Sequence, residues 1–146
     1  MKYTVQNTIN LPIDRVIELY DNPDNLKHWQ PGLQSIELLS GEPRQAGAKS
    51  LITFQMGKRK MEMVETLMVH NLPEELTFSY DTKPMFNIVK NHFTAVGESQ
   101  TLLQTHCEFQ FKSFPMKIMG WLMPSMFKKQ SQKYSDQFKA FAESQG

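Results

Sequence analysis

The sequence has one cysteine, almost no net charge and no long apolar run, and each shortage excludes a class of protein. Cys107 has no disulfide partner in the chain, which excludes a disulfide-stapled fold and favours a reducing compartment. The 16 lysines and arginines nearly balance the 15 aspartates and glutamates, whereas nucleic-acid-binding proteins usually carry a basic excess. The longest apolar stretch, residues 118–127, is too short to span a bilayer, and no charged start followed by an apolar run indicates a secretory signal. We therefore expect a cytoplasmic protein that neither binds nucleic acid nor crosses a membrane.

The familiar signatures of metal and nucleophilic chemistry are also missing. No pair among the four histidines has the spacing of metal ligands such as HExxH. No serine has the flanking glycines of a nucleophile elbow, and the glycines form no phosphate-binding pattern. Cys107 lies in an apolar row with no nearby cation to activate the thiol. We expect neither a metal site nor a cofactor.

What the sequence does contain is an ordered succession of strand and helix patterns over 146 residues, the length of one ordinary domain. Alternation predicts a strand over Lys2–Ile9, and helical spacing predicts two short helices over Pro12–Trp29. Six further alternating segments, joined by short turns, fill Gln34–Phe111. We expect one α+β domain, residues 1–146, in which the seven strands form an antiparallel meander.

A long amphipathic helix is predicted over Pro115–Glu143. Its apolar residues recur at spacings of three, four and seven, which places them on one stripe facing the sheet: Met116, Met119, Met123, Met126, Phe127, Tyr134, Phe138 and Phe141. Pro124 lacks the N–H that a helix interior needs, so we expect a kink or break there. A curved sheet with a helix laid across it leaves a pocket between the layers, and this arrangement predicts a container for an apolar small molecule.

The pocket wall is predicted from the residues that share the inward face of each strand. These candidate ligand-binding residues are Phe54, Met63, Leu67, Phe78, Phe93 and Phe109, with Met119 and Met123 of the last helix as the roof. The ten methionines of the chain suit such a wall, because their unbranched and polarizable side chains adapt to varied apolar partners.

Three polar residues interrupt this apolar face: Glu65, Tyr80 and Asn91. If the intervening hairpin pairs Val69 with Leu76, Glu65 lies opposite Tyr80, and Asn91 lies on the corresponding row two strands away. Together they would orient the polar end of a ligand, and a desolvated Glu65 would have a raised pKa and could act as a general base. Two simpler interpretations stay open. Glu65 only satisfies the pocket wall through Tyr80, or a register error of one residue turns it to solvent.

The chain resembles a known superfamily, the helix-grip (SRPBCC) proteins, and in particular its polyketide cyclase/dehydrase-like branch. This superfamily includes START lipid-transfer domains and plant pollen allergens, and the resemblance covers nearly the whole chain. The segments that carry it are Ile9–Pro12, Tyr20–Pro23, Trp29–Gly32, Met63–Glu65, Asn91–Phe93 and Phe138–Phe141. The resemblance implies a helix-grip fold, with the curved seven-stranded sheet wrapped on the long C-terminal helix. It does not by itself imply an activity, because the superfamily contains binders, carriers and a few enzymes.

Three functions are compatible with these observations. We favour a protein without enzymatic activity that binds or carries a hydrophobic small molecule of lipid, polyketide or aromatic type. The first alternative is an enzyme of the polyketide cyclase/dehydrase type that uses Glu65 or Tyr80. The second is an interaction module that docks on a protein or peripherally on a membrane through the apolar segment of residues 116–127, which includes Trp121.

Overall fold

A computed structural model describes residues 1–146, and seven antiparallel strands form a single sheet in it. The strands are β1 (Lys2–Ile9), β2 (Leu33–Ser40), β3 (Lys49–Met56), β4 (Arg59–Asn71), β5 (Glu75–Asp81), β6 (Met85–Ala95) and β7 (Thr101–Phe111). Strands β2 to β7 follow one another as a meander, and β1 pairs with β7 along its whole length. The predicted seven-stranded antiparallel sheet is therefore confirmed.

Two short helices lie between the first two strands, as the sequence predicts. Helix α1 (Ile13–Tyr20) is followed by a single 3₁₀ turn and by α2 (Leu26–Trp29). The turn begins where the side chain of Asn22 accepts a hydrogen bond from the backbone N–H of Asp24 at 3.0 Å. Helix α2 ends close to Gly32, whose φ of +86° is unfavourable for other residues. A Cβ at Gly32 would also lie 2.5 Å from the carbonyl oxygen of Gln55 in β3, so the glycine allows the helix pair to close onto the sheet.

The C-terminal helix is broken at the expected place. Helix α3 (Phe114–Leu122) ends at Met123, and α4 starts at Pro124 and continues to Gln145. Because proline fits the first turn of a helix and not its interior, Pro124 ends one helix and begins the next. The two helices together match the predicted long helix and complete the helix-grip arrangement. The break also separates the predicted apolar stripe into two parts, and α3 has no buried residue.

Strand β4 contains a bulge that changes its predicted pairing with β5. Leu67 pairs with Phe78, but Val69 pairs with Thr77, so Met68 is an extra residue on the β4 side. The prediction that Val69 pairs with Leu76 is therefore wrong. Beyond the bulge the pairing register of β4 is shifted by one residue, so His70 lies opposite Leu76.

Helix α4 contacts the edge strand β1 through polar groups and the core through aromatic rings. The hydroxyl of Tyr3 donates to the carbonyl of Phe127 at 3.0 Å, and the amide of Asn7 donates to Ser135 Oγ at 2.9 Å. Phe138 is completely buried, with ring centroids 4.8 Å from Tyr20 and 5.1 Å from Trp29. These edge-to-face contacts connect α4 to the helix pair α1–α2.

We expect Phe138→Ala to destabilise the protein by about 3–5 kcal/mol, because truncating a buried phenylalanine removes its contacts and leaves a cavity. This is a large share of the roughly 5–15 kcal/mol by which ordinary domains are stable. Thermal and denaturant unfolding followed by circular dichroism measures the change. The matched control is Phe114→Ala in α3, where the ring is 74% exposed and its loss should alter stability little. Equal melting of Phe138→Ala and the wild type would contradict the docking of α4.

Candidate functional site

Two adjoining cavities lie between the sheet and the helices. Cavity I, about 260 Å³, lies beneath α1, α2 and the β2–β3 loop, and cavity II, about 360 Å³, lies between the sheet and α4. Five residues line both of them: Tyr20, Trp29, Gln30, Ile52 and Tyr80. These five form the boundary between the cavities, which we call the partition. The volume of cavity II falls within the range of small-molecule pockets.

The wall of cavity II is mostly apolar and comes from five strands, β3 to β7, and from helices α1, α2 and α4. Of the residues predicted to face a pocket, Phe54, Met63 and Phe109 line it. Its other apolar lining residues include Ile52, Met56, Met61, Met85, Val89, Leu103, Cys107, Phe127, Tyr134 and Phe138. The predicted Leu67 and Phe78 lie instead in cavity I. The alternation of the strands therefore identifies the inward face of the sheet, while the division into two cavities depends on Trp29 and Gln30 from α2 and its end.

Three predicted wall residues do not reach either cavity. Phe93 is 3% exposed and belongs to the core cluster around Phe138. Met119 and Met123 are 38% and 53% exposed on the outer side of the α3–α4 break. These methionines do not roof the pocket, because the chain changes direction at Pro124 and α3 lies at the end of β7 instead of continuing the line of α4. The roof begins with Phe127 in the first turn of α4.

A row of polar side chains crosses three neighbouring strands at the partition. Glu65 in β4 pairs with Tyr80 in β5, and Tyr80 pairs with Asn87 in β6, so the three side chains project from the same face. Glu65 lines cavity I, Asn87 lines cavity II and Tyr80 lines both. The opposition of Glu65 and Tyr80 was predicted, and the inward direction of Glu65 excludes the interpretation in which it faces solvent.

Asn91 lines cavity II, as predicted, but it does not lie on the predicted row. It pairs with Leu76 rather than lying on the row of Glu65 and Tyr80, which is continued by Asn87. Asn91 is 1% exposed, its amide donates to the carbonyl of Leu76 at 3.2 Å, and its oxygen accepts from the Thr105 hydroxyl at 2.9 Å. Because both ends of the amide have protein partners, Asn91 braces the wall between β5, β6 and β7.

Burial changes the acid–base properties of this site. Desolvation raises the pKa of Glu65 above its ordinary value, and a hydrogen bond from Tyr80 opposes the shift. Desolvation also raises the pKa of Tyr80 well above its usual range, and the negative charge of Glu65 adds to this effect. The pKa of Tyr20 rises chiefly through desolvation, with smaller contributions from Cys107 and Glu65. The site therefore combines one carboxyl group whose charged form is disfavoured with two phenols that remain neutral hydrogen-bond donors.

Tyr20 and Trp29 are functional candidates that sequence reasoning missed. Both come from the helix pair, where their spacing indicates only a core-facing side. The structure places them over the polar row, and the indole Nε1 of Trp29 is buried without a hydrogen-bond partner. A buried donor without a partner costs free energy unless a ligand or water accepts from it. No local sequence signal identifies either residue, because their position depends on how the helix pair packs against the sheet.

An ion pair closes the outer side of cavity I. Arg44 in the β2–β3 loop lies 2.6 Å from Asp21 at the end of α1, and His70 Nε2 lies 3.0 Å from the same carboxylate. Arg44 adopts a left-handed backbone conformation with φ of 66°. The contact requires the β4 bulge, which brings His70 to the inward face. This cluster was also absent from the sequence-based expectations.

No group of three or more His, Cys, Asp or Glu side chains is placed to hold a metal ion. None of the helices is both long enough and apolar enough to cross a membrane.

The chain matches the family model described as "polyketide cyclase / dehydrase and lipid transport" over residues 1–143. It therefore belongs to this family, as the resemblance in the sequence suggested. A search of curated protein sequences finds no match.

Solved structures share the fold at low sequence identity. The Zhui aromatase/cyclase from Streptomyces sp. R1128 superimposes with a TM-score of 0.79 and 12% identity, over 98% of this chain and 93% of its own. A truncated norcoclaurine synthase from Thalictrum flavum gives 0.72 and 13%, over 97% and 92%. Ara h 8.0201 gives 0.74 and 11%, over 99% and 98%. At these identities the likeness establishes the fold alone.

We expect Glu65→Gln to raise the melting temperature at about pH 8, with a gain that shrinks as the pH falls towards about 4. At high pH the folded protein must either hold a desolvated carboxylate or take up a proton, and the unfolded chain bears neither cost. Because the pKa of Glu65 is raised in the folded state, its contribution to stability is full below the ordinary glutamate pKa and is lost as the pH rises through the folded value. The measurement is a set of thermal melts across this pH range.

The matched control is Glu62→Gln. It makes the same replacement on an exposed residue of the same strand, so its melting temperature should follow the wild type at every pH. A gain for Glu65→Gln that does not depend on pH would contradict the desolvation of this carboxyl group.

Proposed function

We propose that this member of the polyketide cyclase/dehydrase and lipid transport family binds a hydrophobic small molecule, of lipid, polyketide or aromatic type, and carries it without changing it chemically. The observation that supports the proposal best is the apolar cavity II of about 360 Å³, which ends at a row of polar side chains. In a cavity of this kind, most of the binding energy comes from the apolar area that the ligand buries, and a few polar groups fix the orientation of the ligand. The apolar body of the ligand would lie in cavity II.

The polar row indicates which end group the ligand carries. Tyr80 donates a hydrogen bond at all ordinary pH values, and Asn87 both donates and accepts. Since burial disfavours the charged form of Glu65, a cationic ligand group would find no negative charge at the row unless Glu65 ionised, and an anionic group would find no positive charge there to compensate it. We infer that an uncharged oxygen, such as a hydroxyl, phenol or ketone, lies at the row.

The enzyme alternative has its own support in the site. Glu65 has a raised pKa and lies beside two phenols, Tyr20 and Tyr80, at the boundary of two cavities. A carboxyl group in such surroundings can take up and return a proton during a cyclisation or dehydration. The carrier proposal is preferred because both phenols have raised pKa values and so act as donors, which leaves Glu65 without a second base in the polar row.

Blocking the cavity tests the proposal. We expect Met63→Trp, inside cavity II, to reduce binding of an apolar fluorescent dye at least tenfold while the protein stays folded, because the indole occupies the space of the ligand. The matched control is Met68→Trp, the same replacement at the bulge of the same strand, where the side chain is 43% exposed. Dye titration and circular dichroism measure the two effects. Equal dye binding by both folded variants would overturn the cavity as the binding site.

Ligand identity and turnover separate the carrier from the enzyme. We expect native mass spectrometry of protein isolated from its own host to show a copurified hydrophobic ligand, and mass analysis of released polyketide-type or aromatic test compounds to find them unchanged. The variant Glu65→Gln should shift affinity for ligands with a polar end group while apolar dye binding stays nearly constant. Turnover by the wild type that is lost in Glu65→Gln would replace the carrier by the cyclase-type enzyme.

A further inference from the structure

One end of the molecule collects an unusual share of its positive charge. The antiparallel register places the β3–β4 hairpin tip, the β5–β6 turn and the end of β7 with the following helices at the same end of the sheet. We define residues 56–61, 82–84 and 112–129 as the basic end. It holds eight lysines and arginines, half of the 16 in the chain, and no aspartate or glutamate. The net charge of +1 therefore conceals a strong separation of charge.

The cations of the basic end come from all three segments, which are distant in sequence. They are Lys58, Arg59, Lys60, Lys83, Lys112, Lys117, Lys128 and Lys129. Of these, Lys112 forms an ion pair with Asp81 at the border of the region, and the others have no ion-pair partner within 4.0 Å. Even when the flanking Glu62 and Asp81 are counted, eight cations face two anions at this end, and the excess produces a local positive potential that attracts anionic surfaces.

The same end exposes most of the large apolar side chains that reach solvent. Nine of the 14 exposed large hydrophobic residues lie in it, although it is a small part of the chain. The most prominent are Trp121, Phe114 and Leu122, which are 81%, 74% and 65% exposed. Single exposed apolar residues need no explanation, but a group of this size indicates an interaction surface.

Helix α3 carries these apolar residues directly beside cavity II. A Cβ on Gly120 would lie 2.5 Å from the ring of Phe111, so the backbone of α3 rests on that ring. Phe111 stacks in turn with Phe109 and contacts Phe127, which both line cavity II. Met56 and Met61 line the same cavity and are 45% and 37% exposed, so cavity II reaches the surface at the basic end.

We propose that the basic end docks on the surface of an anionic lipid membrane, with α3 in the interface and the mouth of cavity II facing the lipid. Lysines surrounding exposed Trp, Phe and Leu are the combination that binds this interface, through electrostatic attraction together with burial of apolar side chains. A nucleic acid would use the cations but leave the apolar residues of α3 exposed to water. The inference rests on the charge and exposure of this end and goes beyond the proposed ligand binding.

The test uses the full chain and vesicles of two compositions, phosphatidylcholine alone and equal parts of phosphatidylcholine and phosphatidylserine. We expect cosedimentation with the anionic vesicles only, weakening as salt is added. Lys128→Gln/Lys129→Gln should weaken this binding about 30-fold, since each lysine at an anionic surface contributes about 1 kcal/mol. The control Lys27→Gln/Lys49→Gln removes two cations from α2 and from the start of β3, outside the basic end, and should bind as the wild type does.

Tryptophan fluorescence examines α3 itself. The chain has two tryptophans, of which Trp29 is 5% and Trp121 is 81% exposed. Anionic vesicles should shift the emission of the wild type to the blue, and Trp121→Phe should bind equally well but lose the shift. Absence of binding to anionic vesicles, equal binding by the two lysine double variants, or binding without a shift would each overturn the docking, the first outcome in favour of an acidic protein partner. Dye binding without vesicles is independent of these results, so failure of the docking and failure of the cavity proposal remain distinguishable.

Discussion

The packing of Phe138 against Tyr20 and Trp29 is the contact on which the rest of the structure depends. An open antiparallel sheet has one face that must be covered, and here the cover consists of α4 and the helix pair α1–α2, which are far apart in sequence. Phe138 is the point where these two pieces meet. Since Tyr20 and Trp29 also form part of the partition, the same contact that completes the core sets the position of the two cavities. Stability and site geometry are therefore coupled through one cluster of aromatic rings.

Strand alternation predicted the inward face of the sheet well, but the polar row only in part. The opposition of Glu65 and Tyr80 holds although the pairing from which it was inferred does not. At the hairpin the observed register differs from the predicted one by one residue. The extra residue Met68 removes this difference before the strand reaches Glu65, so Glu65 still lies opposite Tyr80. The row contains Asn87 rather than the predicted Asn91, because the length of the β5–β6 turn does not determine the register of the two strands. A period of two identifies a face, whereas the partner across the strand depends on bulges and turns that have no sequence signature here.

The C-terminal segment shows the same division between local and tertiary information. Pro124 predicted the break correctly because its missing N–H is a local property. The direction in which α3 leaves the break is not local, and the apolar stripe drawn across Pro124 therefore placed Met119 and Met123 on the wrong side. Phe127 and Phe138 follow the break in one continuous helix, and both face the cavity as predicted. Helical periodicity is informative only within an unbroken helix.

The cost of Glu65 to the fold is the strongest reason to regard the polar row as functional. Placing a carboxyl group in a desolvated wall raises its pKa and makes its charged form unfavourable, and an apolar residue there would avoid this cost. The donor of Trp29 is left buried without a partner in the same partition. Natural sequences usually satisfy or remove such groups in a core, and departures from that rule concentrate where a protein meets its ligand. Glu65 on the sheet and Trp29 on the helix pair both line cavity I, and together they fit a molecule whose polar end lies between them and accepts a hydrogen bond from the Trp29 indole.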